Sequence, residues 1–150
     1  MSTLKEQLYL QCVDYLRKKE AEIKAAINEA QEAANSDTKS SAGDKFETGR
    51  ESIQQEIDLN VTRLNELNKQ KLALEQIIPA QKGSVVMPGS LVRTNNGNYY
   101  IAISAKQLKA DGTTYYAISL SSPVGEKLAG RKAGDAFDMN GKNFVIESVA

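Results

Sequence analysis

The chain has 150 residues, 41% of them hydrophobic, with 19 basic and 19 acidic side chains and therefore no formal net charge. That length suffices for one ordinary domain or two small ones, and the charge balance excludes the overall basic bias of a general nucleic-acid binder. A single cysteine, Cys12, and the lack of any histidine exclude disulfide frameworks, Cys/His zinc sites, Ser-His-Asp triads and Cys-His dyads.

Met1 is followed by charged, amphipathic sequence rather than a basic and then apolar leader. No apolar run approaches the roughly 20 residues a membrane span needs. A cytoplasmic protein with no membrane partner is expected.

The first element is a long helix. From Leu4 to about Ala34 the apolar positions Leu4, Leu8, Cys12, Leu16, Ile23, Ile27, Ala30 and Ala34 recur in steps of three, four or seven, with charged residues between them. Thr3 with Glu6 fits a capping box at its start. Cys12 lies in this stripe with no basic activator nearby in sequence, so it reads as a buried structural thiol. A second stripe, Phe46, Ile53, Ile57, Val61, Leu64, Leu67, Leu74 and Ile78, stops at Pro79. Each helix would be roughly 45–50 Å long at 1.5 Å per residue. Neither has a second apolar face, so each is expected to bury its stripe against the other as an antiparallel hairpin, with its tip at about 35–45.

Beyond Pro79 the composition shifts to glycine, β-branched residues and tyrosine. "SLVRTNNGNYYIAIS" reads as strand, turn at Asn96-Gly97 and strand, and "DGTTYYAISLSS" as a turn at Asp111-Gly112 and a further strand. Ser122 can cap a short helix that has Pro123 at its first position and ends at Gly130. Asn140-Gly141 between alternating runs predicts a closing hairpin. The pairs Tyr99-Tyr100 and Tyr115-Tyr116 put one ring on each face of a strand. At least one of each pair should be core, and stacking on bases is the sharper alternative.

The fold class is thus α+β: a helical hairpin over 1–79, then a small, mostly antiparallel β domain with one short helix over 83–150. Residues 1–80 carry 11 basic and 14 acidic side chains and residues 81–150 carry 8 and 5, so the halves are −3 and +3. Between Asn28 and Asp58, eight acids (Glu29, Glu32, Asp37, Asp44, Glu47, Glu51, Glu56, Asp58) face only Lys39, Lys45 and Arg50. The distal third of the hairpin is acidic.

The segment "SSPVGEKLAGRKAGDAFDMNGKNFVIESVA" resembles the C-terminal domain of the bacterial transcript cleavage factors GreA and GreB, where "SP.G.ALLGK..GD" precedes a terminal hairpin. Ser122, Pro123, Gly125, Leu128, Gly130, Gly134 and Asp135 match that pattern, and Lys132 sits near its usual basic position. A coiled-coil hairpin followed by an FKBP-like domain is the Gre architecture and covers the whole chain. The resemblance implies a monomeric, non-enzymatic regulator of RNA polymerase. Its globular domain would dock at the rim of the secondary channel, the hairpin would pass down it, and contact with DNA and RNA would be indirect. Tip acids would help hold a metal at the polymerase active site, Mg²⁺ in the complex, with no cofactor in the free protein.

The tip departs from the family pattern "GDL.ENAEY..A.EQ". Asp37 aligns with the family Asp, but Ser40 stands where a Glu is expected. Phe46 aligns with the family Tyr and Lys45 falls on the other Glu, with Asp44 and Glu47 flanking it. One or two carboxylates suffice for Mg²⁺ when the partner supplies the rest of its shell. Asp37, Asp44 and Glu47 are therefore the candidate metal-facing acids. Asp44 with Glu47 three residues on equally fits an N-cap, and Asp37 a solvated turn. Ser122, Pro123, Gly125, Arg131, Lys132 and Asp135 are the candidate polymerase-docking residues, and the proline and glycines are also what a short helix between tight turns needs.

Stimulated cleavage and simple occupation of the channel both remain open. So does a coiled-coil adaptor, which would carry a sticky outer helix face. A peptidyl-prolyl isomerase is disfavoured, since an aromatic-lined pocket is hard to build with Phe137 and Phe144 as the only phenylalanines of this half and no tryptophan.

Overall fold

The computed structural model describes residues 3–39, 43–79 and 81–150, with side chains at 36–48 and 50 outside the description. The chain is α+β. Helices α1 (Leu4–Lys39) and α2 (Gly43–Glu75) are followed by β1 (Leu91–Thr94), β2 (Gly97–Ile101), β3 (Gln107–Ala110), β4 (Thr113–Ile118), α3 (Pro123–Leu128), β5 (Ala136–Met139) and β6 (Lys142–Val149). Among the described residues no helix is long and apolar enough to cross a membrane. The chain forms two compact units, one of residues Leu16–Lys71 and the other of Met1–Tyr15 with Leu72–Ala150.

In the helical unit, Lys71 Nζ lies 2.7 Å from Glu20 Oε2. Nineteen residues of α1 follow Glu20 and 28 of α2 precede Lys71, so collinear helices would hold the pair roughly 70 Å apart. The contact requires an antiparallel reversal. Carried along the helices, this register sets Leu67 opposite Ile23, Leu64 opposite Ile27, Asn60 opposite Ala30 and Ile57 opposite Ala34. Leu67, Asn60 and Ala30 are buried and the others half-buried.

The observed seam on α2 is Ile53, Ile57, Asn60, Leu64, Leu67, Lys71 and Leu74, spaced alternately by four and three, the 3.5-residue repeat of a coiled coil. This corrects the expected stripe in two places. Val61 is 41% exposed and Asn60 takes the seam position. Ile78 is exposed while Ile77 is buried, because α2 ends at Glu75, ahead of Pro79, and the non-helical backbone resets the phase.

The other unit is built on a six-stranded sheet in the order β3-β4-β2-β1-β6-β5. β2 and β4 run parallel and every other neighbouring pair antiparallel. Two turns fall where expected: Asp111-Gly112 (φ 52° and 76°) and Asn140-Gly141 (φ 52° and 77°) both have the paired left-handed geometry of tight hairpins. The first hairpin differs. Thr94 pairs with Gly97, so the turn is Asn95-Asn96 and Gly97 opens β2. Asn95 is held there by β6: its Oδ1 accepts Val145 N–H at 2.8 Å and its Nδ2 donates to Asn143 O at 3.0 Å.

One sheet face carries Val92, Tyr99, Ile101, Phe137, Phe144 and Ile146, packed with Val86 and with Leu128 of α3. The opposite face carries Leu91, Tyr100, Leu108, Tyr115 and Ala117, all buried. The start of α1 serves this second face. Leu8 and Cys12 are fully buried, and Tyr100 senses Cys12 and Tyr9 electrostatically. Part of the α1 stripe is therefore spent on the sheet rather than on α2, against expectation. Full burial of Leu8 alone contributes roughly 2–3 kcal/mol. Thr3 caps α1 as expected, its Oγ1 accepting Glu6 N–H at 3.2 Å.

Candidate functional site

The stretch from Ser119 to Phe137 is held by its own side chains. Ser122 Oγ accepts the Gly125 N–H at 3.1 Å and donates to Ser119 O at 2.7 Å. With Pro123 following it, Ser122 is the N-cap of α3. Gly125 is fixed by steric necessity: a Cβ there would stand 2.0 Å from the carbonyl oxygen of Ser119. The only side chain that lets α3 approach the end of β4 is hydrogen.

α3 ends at Leu128 with Ala129 as its C-cap, and the φ of 75° at Gly130 suits the residue after a helix C-cap. The chain then pairs with the segment before β1. Val86 N donates to Arg131 O at 2.8 Å and Gly130 N to Val86 O at 3.1 Å, and Val85 bridges Lys132. Asp135 closes the loop, its Oδ2 accepting Lys132 N–H at 2.9 Å.

Arg131, a candidate docking residue, is half-buried and tied back onto its own loop. Its Nε donates to Lys127 O and its Nη1 to Ala136 O at 3.4 Å. Its guanidinium carbon lies 5.2 Å from the centroid of Phe137, which itself stacks on Phe144 at 5.0 Å. Lys132 and Pro123 are exposed. Of the six candidate docking residues, Ser122, Gly125, Arg131 and Asp135 build the loop, while Pro123 and Lys132 are what it presents.

The candidate tip acids Asp37, Asp44 and Glu47, and the capping role weighed for Asp44, lie outside the described side chains. Among the described residues no three acidic or sulfur side chains converge as metal ligands would. Leu59 and Val61 are exposed on α2. Two residues apart, they point to opposite sides of the helix.

No protein-family model matches the chain, and no curated protein matches it. The chain is similar to a solved structure of another protein. "Structure of the transcription factor Gfh1" is 21% identical over 94% of this chain and 92% of that one, with a TM-score of 0.34.

Contacts that no sequence pattern announced complete the unit. Gln11 reaches the main chain of Lys109. Buried Lys5 donates from Nζ to Gln81 O, and to Ala150 O at 3.2 Å. Burial, and then the charge of Lys82, lowers the Lys5 pKa. The signal available in sequence was only that both residues flank the apolar positions of α1.

Proposed function

We propose that this chain is a Gre-like regulator of transcription elongation. Its sheet unit docks on RNA polymerase beside the secondary channel, and the acidic end of its helical pair acts within the channel. The protein has no catalytic centre of its own on this reading. Asp37, Asp44 and Glu47 would lend carboxylates to a Mg²⁺ ion that the polymerase holds, or the tip would act by occupying the channel. What supports the reading is the Ser122–Asp135 segment. Residues that matched the family pattern have interlocking tasks, cap, close approach and loop closure, and together they hold Pro123 and Lys132 outwards.

The test is competition. Purified chain should displace a genuine Gre factor from RNA polymerase. In backtracked complexes, Asp37→Asn with Asp44→Asn should abolish any stimulated transcript cleavage and leave displacement intact. Displacement without cleavage by the wild-type chain assigns the occupancy mechanism, in line with Ser40 standing where the family has a Glu. Failure to bind polymerase refutes the reading.

A further inference from the structure

Tyr116 is 40% exposed on β4. Cross-strand register puts Gln107 directly opposite Tyr116 and Lys109 opposite Thr114. All four side chains thus share one face, and Gln107 and Lys109 are exposed. On the other side β2 contributes Tyr99, paired with Tyr116, and Gly97 two residues earlier. The Tyr99 and Tyr116 rings have centroids 5.8 Å apart at 37°, and Tyr99 is nearly buried. A Cβ on Gly97 would meet Tyr116 Cε2 at 3.4 Å. The Tyr116 ring therefore leans over a bare glycine, backed by a second ring.

We propose that this open corner of the sheet is a stacking site for a base of single-stranded nucleic acid, with Tyr116 as platform and Lys109 on the adjoining phosphate. Three observations select this occupant. The surface is a sheet face with an exposed aromatic ring, and base stacking needs only such a face, whereas an apolar peptide side chain needs walls around it. Lys109 lies on the strand pair diagonal to Tyr116, within reach of a long side chain, and its main chain is pinned at both N–H and C=O by Gln11. On the β3–β4 strand pair and its approach, 106–118, the charges are Lys106 and Lys109 against Asp111 alone, a local excess suited to phosphate. Gln107, beside the ring, offers a carboxamide to a base edge. The site is independent of the polymerase-docking reading, since naked nucleic acid suffices to probe it.

The experiment is a fluorescence-anisotropy titration of the full chain at low salt, with a 12-nucleotide single-stranded RNA and an abasic strand of equal length. The base-bearing strand should bind roughly tenfold tighter or more. Tyr116→Leu keeps an apolar cover on Gly97 but removes the flat ring, and it should bring both strands to the same weak affinity. Tyr116→Phe should match the wild type. Lys109→Gln, which leaves the ring untouched, should weaken both strands and lower the salt slope by about 0.7. Equal binding of the two strands by wild type, equal binding of duplex RNA, or an unaffected Tyr116→Leu would each overturn the proposal. So would a proline-rich peptide that moves the Tyr116 ring resonances while RNA does not.

Discussion

Gln11 and Lys109 are 98 residues apart in sequence, yet one carboxamide serves both main-chain groups of the other: Gln11 Nε2 donates to Lys109 O at 2.8 Å and its Oε1 accepts Lys109 N–H at 3.3 Å. Lys109 lies on β3, an edge strand of the sheet. An edge strand presents unpaired donors and acceptors that invite pairing with another chain. A helix side chain here takes the place of a seventh strand.

Gln11→Leu should therefore cost about 1–2 kcal/mol and speed amide exchange at Lys109 selectively. Concentration-dependent self-association should rise with it. An unchanged exchange rate at Lys109 would show that the carboxamide is dispensable.

The same contact marks where sequence reasoning ended. The Asp111-Gly112 and Asn140-Gly141 turns were legible because their left-handed dihedrals are a local property of those residues. Asn96-Gly97 misled, since what fixes that turn is the bond from Asn95 to β6, some 50 residues away. The helix pair was legible as two apolar stripes. Choosing Asn60 over Val61 for the seam required the 3.5-residue period set by a partner helix, whereas hydropathy alone favours valine. In the 122–135 segment the pattern residues were found, but the outward or inward sense of Arg131 depended on Phe137 lying beneath it.

Cys12 is sealed between α1 and the sheet, and burial raises its thiol to about 12. Labelling by a thiol reagent at pH 8 should proceed only through unfolding, at a rate that follows denaturant and not reagent concentration. Removing residues 1–15, and with them Leu8 and Cys12, should leave the remaining sheet unable to fold cooperatively by circular dichroism.

Nearby, the Tyr100 hydroxyl is fully buried and, among the described residues, has no hydrogen-bond partner. Tyr100→Phe deletes an unsatisfied group and nothing else, so stability should stay level or rise by about 1 kcal/mol. A loss of stability in a denaturant titration would mean that the hydroxyl has a partner.

Glu20 accepts hydrogen bonds from Lys24 and Lys71, both at 2.7 Å, and these bonds lower its pKa to about 2. A carboxylate whose folded pKa is depressed adds stability above its unfolded value, and that stability is lost as pH falls through the folded one. The window runs from the ordinary glutamate value of 4.5 down to about 2. Glu20→Gln should flatten the acid limb of the stability curve there and leave its shape above pH 6 unaltered. Equal acid sensitivity in both proteins would remove the pair from the seam.

Asn60 is 4% exposed in the seam, its Nδ2 donating to Glu56 O within its own helix at 3.1 Å. A buried polar seam residue specifies register at a cost in stability. Asn60→Leu should raise the stability of the helical unit by about 1 kcal/mol. Crosslinks between paired cysteines introduced at Ile27 and Leu64 should meanwhile become less exclusive.

The loop proposed to dock on polymerase offers the sharpest separation of structure from binding. Gly125→Ala sets a methyl 2.0 Å from a main-chain oxygen, and no rotamer change can relieve that overlap. About 3 kcal/mol of stability should be lost, and affinity for polymerase should fall because the loop itself is displaced. Ser122→Ala should lose about 1 kcal/mol with the cap. Arg131→Glu is a poor probe, since it forfeits the contact with Phe137 and two carbonyl bonds along with the charge. Lys132→Glu is the clean one. Its side chain is exposed, and the bond it makes to Asp135 comes from the main-chain N–H, which the substitution keeps. Thermal stability should be unchanged within about 0.5 kcal/mol while polymerase affinity drops, with a deficit that shrinks as salt rises. Wild-type affinity in Lys132→Glu, together with reduced affinity in Gly125→Ala, would leave Pro123 as the residue through which the loop makes contact.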